Sequence, residues 1–310
     1  MSDSAETEPT VEVTPPTQAE LNDPSLAPAQ PGEGCPPPLA WADVVREVRE
    51  RRNTIEATVD GKPVRAFSLG DGPPLYVLNG LSATPDLFAL FVWLLREDFR
   101  CVVIEYPPHA RSLADLSQSL LAIADETGDE RFDVYASSFG SLVALQTLLH
   151  HPERIDHAVL QGPLVGMKLS LPERFGAALL SLMPGQMRRV PLFANVIRSN
   201  HLRWFPPVDP TRWQFAEQDM TEPRIADVAH RCRMFVGTDF ADRLSEIRTP
   251  ALVISSEGEA PRHVNAAKLL NERLANSRHE HIPNTGHVAY LTHPHRMVNL
   301  VRPFLRPGAE

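Results

Sequence analysis

Three residues far apart in the chain, Ser138, Glu259 and His287, are of the types that together turn a hydroxyl into a nucleophile. A serine attacks a carbonyl carbon only when a base removes its proton, and an imidazole titrates in the range that suits this task. A carboxylate then holds the imidazole tautomer and stabilises the imidazolium. Ser138 lies in "YASSFG" (135–140), where a sharp strand-to-helix turn would need small residues two before and two after the nucleophile. With Ser138 central these are Ala136 and Gly140. With Ser137 central they are Tyr135 and Phe139, which would clash. Capping alone accounts for many serines at helix starts, so this motif gains meaning only from its partners.

His287 stands in "IPNTGHVAYL", a glycine-containing loop beyond the last predicted strand, and "ALVISSEGEAP" is a strand that ends in acids. Glu259 comes five residues after Ile254 and 28 before His287. Glu257, three residues after Ile254 and 30 before His287, remains a competitor, because Gly258 lets the chain turn and present either carboxylate. The developing oxyanion needs two converging N–H groups. Phe139, following the nucleophile, supplies one candidate, and Leu81, in the loop after "LYVLNG", supplies the other. Asn79 and Gly80 of that loop, together with Met183 and Trp204, are candidate substrate contacts. Leu180, Met183, Leu192, Phe193, Trp204 and Phe205 suggest an apolar pocket for an acyl or alcohol group, although most of them also suit internal packing between helices.

These residues need a scaffold that brings three loops together. "WADVVREVRERR" has helical periodicity along Trp41, Val44, Val45 and Val48, and a hairpin is predicted around Asp60-Gly61. From residue 75 to residue 163 short apolar strands alternate with helices: "LYVLNG", "FRCVVIEY", "FDVYAS" and "IDHAVLQGP" are the strands. Continuous apolar strands of this kind are buried on both faces, which predicts a mostly parallel, doubly wound α/β sheet. The alternation stops over 164–225, where helical pieces are broken by prolines, and resumes at "TPALVIS". The expected organisation is a core of 39–163 and 226–310 with a helical lid, 164–225, inserted before the last strands and lying over their carboxyl ends, where ligands of open α/β sheets bind.

Residues 1–38 contain nine prolines and seven acids but no Lys or Arg, a composition that predicts a disordered acidic tail, with no partner identified for it. The other 272 residues carry 30 basic and 32 acidic side chains, so no basic stripe argues for nucleic-acid binding. Cys35, Cys101 and Cys232 have no metal-type spacing and form no disulfide framework. With no secretory signal pattern and no apolar run of membrane-spanning length, a cytoplasmic protein is expected.

Residues 53–306 resemble an α/β-hydrolase. "FSLGDGPPLYVLNG" is similar to the family's second strand, turn and oxyanion-loop strand. "VVIEYPPHARS" is similar to its D-x-P-G-H-G-x-S segment, and "IPNTGHVAYLTHP" to its C-terminal histidine loop. The order Ser138, Glu259, His287 matches the family's nucleophile–acid–histidine order. The resemblance implies a serine hydrolase of a small, apolar carboxylic ester, or of a thioester or lactone, that needs no cofactor and no metal. The sequence departs from the family at Asn79 (usually His), Ala136 (usually Gly) and Glu259 (usually Asp). "DLFALFVWL", "LSLMPGQMRRV" and "PPVDP" resemble the maspardin-type branch, which implies the alternative of a non-catalytic binding or interaction protein on the same fold.

Overall fold

The computed structural model describes residues 40–82, 84–166, 170–180, 182–205, 210–235 and 237–306. The expected tail, 1–38, and Cys35 lie outside the described residues. Asp60 and Gly61, at the tip of the first hairpin, have φ of 49° and 74°. Positive φ at both central positions is the type I′ turn, whose twist suits a two-residue hairpin loop. It joins β1 (Asn53–Val59) to β2 (Lys62–Leu69), which pair antiparallel.

The remaining strands are β3 (Pro74–Leu78), β4 (Arg100–Glu105), β5 (Phe132–Ser137), β6 (Ile155–Gln161), β7 (Ala251–Ser256) and β8 (Ser277–Ile282). They form one sheet in the order β1-β2-β4-β3-β5-β6-β7-β8. β2 meets β4 antiparallel, and every pairing from β4 to β8 is parallel. The register aligns the carboxyl ends of the central strands. Leu78 pairs with Ala136, Ser137 with Gln161, Gln161 with Ile254, and Ser256 with Ile282. The loops that follow β3, β5, β6, β7 and β8 therefore leave the sheet at one edge, and they carry residues 79–82, 138, 162, 257–259 and 283–287.

Side chains alternate between two apolar layers, as the period of a strand demands. Tyr76, Leu78, Val134 and Ala136 face one layer, while Val77, Tyr135, Val159 and Ile254 face the other. The first layer is covered by α3 (Leu113–Glu126), α4 (Gly140–His150) and α9 (Pro261–Arg273). The second is covered by α1 (Trp41–Arg51), α2 (Ala89–Leu95) and α11 (Pro294–Leu305). α1 buries Trp41, Val44, Val45 and Val48, the face its periodicity predicts. α3 starts at Ser112, whose hydroxyl oxygen accepts from the Asp115 N–H, an N-cap bond.

Between β6 and β7 the chain forms α5 (Leu171–Leu180), α6 (Pro191–His201), α7 (Pro210–Thr221) and α8 (Ile225–Met234), then a 3₁₀ turn over Ala241–Glu246. No described residue of this segment belongs to the sheet, and its helices continue past residue 225. α10 (Ala289–Thr292) follows the histidine loop. No helix among the described residues is long and apolar enough to cross a membrane.

Candidate active site

β5 ends at Ser137, and the next residue, Ser138, has φ of 53°. A non-glycine residue in this region is strained, and such strain is held only where surrounding contacts over-determine it. Here they do. The Ser138 N–H donates to Gln161 O (2.9 Å), and the Ser138 carbonyl accepts from the Ser141 N–H (3.0 Å) and hydroxyl (2.6 Å). The Ser141 hydroxyl also accepts from the Leu164 N–H (2.8 Å), tying the start of α4 to the chain leaving β6. Gly140 is jammed against β3: a Cβ there would meet Leu78 O at 2.5 Å and Asn79 O at 2.8 Å. The small residue expected two after Ser138 thus has a physical cause.

His287 Nδ1 lies 3.3 Å from Glu259 Oε1. The Glu259 side chain is wholly buried, whereas His287 keeps 21% of its side-chain surface open. Glu257 is employed otherwise: its Oε2 accepts the Asn284 N–H (2.7 Å) and so laces the acid loop to the histidine loop. The Gly258 N–H, donating to Thr285 O (2.9 Å), adds a second stitch. Gly162, at φ 53°, clears the floor beneath the Glu259–His287 contact. A Cβ on it would collide with Glu259 Oε1 and stand 2.9 Å from His287 Nδ1. Gln161 fixes the histidine loop from below, donating from Nε2 to His287 O (2.8 Å) while its Oε1 accepts from the Ser137 hydroxyl (3.0 Å).

Burial governs the titration of this pair. It pushes the Glu259 carboxyl up to about 7, consistent with an Oε2 that finds no partner among the described residues. Burial, with the nearby charge of Arg262, pushes His287 down to about 4, so its imidazole is neutral and able to accept a proton at neutral pH. His263 and His201 are also driven down to about 4 by burial. The His263 ring centroid lies 4.4 Å from that of His287, and His263 Nδ1 is 2.8 Å from Gly162 O.

Ser138, Leu81 and His287 stand where two cavities meet, one of about 570 Å³ and one of about 160 Å³. Phe139, Glu259, Arg262 and His263 line the larger; Gly80, Phe193, Met220 and Tyr290 line the smaller. Among the described residues the Leu81 and Phe139 amides donate to no acceptor, and both residues line the larger cavity together with Ser138. The Leu81 loop is held through its carbonyls by the buried Arg231 of α8, whose Nε donates to Leu81 O (2.7 Å) and Nη2 to Ser82 O (3.2 Å). No group of His, Cys, Asp or Glu among the described residues is arranged to hold a metal.

Three of the four expected substrate contacts, Met183, Trp204 and Asn79, line neither cavity. Met183 is 43% exposed and lines neither cavity. Trp204 lies against Gly258 and Gly286, filling the space that side chains on those glycines would need, with Arg203 stacked 4.5 Å from its ring. Periodicity identified Trp204 as an apolar side chain of the inserted segment, but not that two glycines had been left bare to receive it. Asn79 is buried behind the loop, its amide donating to Ile104 O and its carbonyl accepting from the Tyr106 hydroxyl (2.8 Å). Gly80 does line the smaller cavity, as does Phe193, while Phe205 packs edge-on against Trp213. The side chains of Leu180 and Leu192 lie outside the described residues. Sequence reasoning missed Gly162, Arg231, His201, His263 and Arg262. A glycine directly after a buried strand was the one local signal, at Gly162; the others owe their positions to long-range packing.

A family model for the alpha/beta hydrolase fold matches residues 73–294. The chain is similar to a pimeloyl-[acyl-carrier protein] methyl ester esterase of Aeromonas hydrophila, with 22% identity over 76% of this chain and 96% of that protein. Among solved structures it is similar to an esterase from Exiguobacterium antarcticum (TM-score 0.70, 17% identity, covering 82% and 99% of the two chains). It is also similar to the enol-lactonase from Burkholderia xenovorans (TM-score 0.68, 19% identity, covering 81% and 99%). A family match across most of the sequence, on a sheet of this order with a serine at its strained strand-to-helix turn, means that the chain belongs to the α/β-hydrolase family of enzymes.

Proposed function

We propose that the protein is a serine hydrolase that cleaves a carboxylic ester, with thioesters and lactones as chemically allied substrates, through an acyl-enzyme. Ser138 Oγ attacks the carbonyl carbon and its proton passes to His287 Nε2, the ring nitrogen turned away from Glu259. Ionised Glu259 stabilises the imidazolium, and the Leu81 and Phe139 N–H groups receive the oxyanion. Collapse breaks the carbon–oxygen bond, and the departing alcohol takes the proton from His287. Water then repeats the sequence: its hydroxyl ends on the acyl carbon, its proton returns through His287 to Ser138 Oγ, and the acid leaves. One water is consumed and no cofactor takes part. Residues 164–225 act as a lid that roofs the cavities, α6 contributing Ile197 and His201.

The observation that carries this reading is the Glu259–His287 contact over Gly162, formed in the wall of the cavity that Ser138 also lines. Relatives bearing esterase and lactonase names agree with the reaction class. Labelling with a fluorophosphonate probe tests it without a known substrate. The wild-type protein should label, and the folded Ser138→Ala variant should not. A wild-type protein that stays unlabelled would favour the non-catalytic binding role implied by the maspardin-type resemblance.

A further inference from the structure

Arg262 is an exposed arginine with no anionic partner among the described residues. Arg231, whose charge also reaches Cys232, is engaged: it donates to Leu81 O and Ser82 O. Arg262 has no hydrogen bond or ion pair among the described residues, yet it lines the 570 Å³ cavity. It stands in the first turn of α9, which holds no acidic residue. The one carboxylate in that cavity wall, Glu259, is turned against His287 with its side chain fully buried. The charge of Arg262 is felt at three other groups of the wall, His287, His263 and Cys232, and in each case it acts against a positive or in favour of a negative charge.

A second observation concerns the junction of the two cavities. His201 is 9% exposed, lines both, and its Nδ1 has no partner among the described residues. A buried polar atom without a partner is destabilising, and a polar atom of a ligand at the junction would satisfy it. The smaller cavity, at about 160 Å³, is close to the size that accepts a benzene-sized guest. Its lining includes Leu87, Phe193, Met220 and Val228.

Building on the ester-hydrolase reading, we propose that the substrate is an ester whose larger part ends in a carboxylate, received by the guanidinium of Arg262 at the wall of the larger cavity, while a compact apolar part occupies the smaller one. A guanidinium fork matches a carboxylate with two parallel hydrogen bonds. A single fork, with neutral histidines around it, suits a monoanion better than a phosphate. The ester bond lies between the two parts, at Ser138, where both cavities open.

The test uses matched substrates: the monophenyl esters of succinic, adipic and suberic acids against the phenyl esters of butanoic, hexanoic and octanoic acids. At low ionic strength, kcat/KM for the best carboxylate should exceed that of its uncharged match by about tenfold to a hundredfold, the range of a charge-assisted hydrogen bond. The ratio should shrink with added salt, fall to about one in Arg262→Gln, and favour phenyl 6-aminohexanoate in Arg262→Glu. No carboxylate preference at any chain length, or a preference that survives Arg262→Gln, overturns the proposal while leaving the hydrolase reading intact. A separate arm needs no turnover: calorimetry of adipate and suberate binding to Ser138→Ala, with and without Arg262→Gln. Arginine-dependent binding by a protein that hydrolyses none of the esters would retain the anion site and sink the hydrolase reading. Absent binding in this arm counts against the anion site.

Discussion

The indole of Trp204 occupies the space that a side chain on Gly286 would need, one residue before His287. The same ring covers Gly258, one residue before Glu259. One side chain from the inserted helices thus rests on both loops that carry the acid and the histidine.

A double-mutant cycle measures this contact. Gly286→Ala forces the new methyl into the indole and should lower kcat/KM by about tenfold or more, because small displacements of catalytic groups are costly. In a Trp204→Ala background the clash is gone, and the same change should cost less than about threefold. Additive effects would show that Trp204 and the histidine loop do not bear on each other.

Gly162→Ala should be more severe. The substitution places a methyl at positive φ, a strain of about 1 kcal/mol, and drives it into Glu259 Oε1 and the His287 ring. We expect turnover to fall by about 10² or more through lost orientation of the histidine, with folding retained by circular dichroism. Near-normal turnover would mean that the Glu259–His287 contact is dispensable.

Glu259 and Glu257 should separate cleanly. Glu259→Gln should reduce turnover by about 10³–10⁴, and Glu257→Gln by less than about threefold, with a stability loss of about 1 kcal/mol from the weakened bond to the Asn284 N–H. The pH profile adds a second readout. With its pKa pushed up to about 7, Glu259 must ionise to support the imidazolium, so kcat/KM should rise through about pH 7 and lose that limb in Glu259→Gln. For folding the sign is opposite. A raised carboxyl pKa means stability present below the unfolded value of 4.5 and lost as pH climbs through about 7. His201, His263 and His287, each driven down to about 4, contribute stability present above 6.5 and lost as pH falls toward 4. Urea denaturation should find Glu259→Gln gaining on wild type at about pH 8, by on the order of 2 kcal/mol, but not at about pH 5. Equal differences at both pH values would contradict the burial of a chargeable carboxyl.

Arg231→Met removes the guanidinium that holds the Leu81 and Ser82 carbonyls. The loop that presents the Leu81 N–H loses its brace, and kcat should fall by about 10²-fold, comparable with loss of one oxyanion donor, while KM changes little. A loss confined to KM would assign Arg231 to binding rather than to the oxyanion.

Local patterns made the strands and most helices legible. Apolar runs such as 132–137 could only be strands buried on both faces, and Ala136 and Gly140 singled out Ser138 over Ser137. The β2-β4-β3-β5 order was not legible, because crossovers leave no trace in local periodicity. Nor could spacing choose between Glu257 and Glu259 across Gly258. The register of β7 on β8 separates their surroundings, bringing Glu257 to Asn284 and Glu259 to His287. The places of Trp204 and Met183 were not legible for a related reason: apolar side chains of the inserted helices look alike until the surfaces they meet are known.

Arg231 and Trp204 both reach from the inserted helices to loops of the sheet, one to the carbonyls of Leu81 and Ser82 and one across the loops that carry Glu259 and His287. The segment between β6 and β7 is therefore no interchangeable cap. A chimera that grafts a relative's helices onto this sheet to import a new specificity would inherit an empty pocket and three unbraced loops, unless the graft carries an arginine and a tryptophan at the same two places.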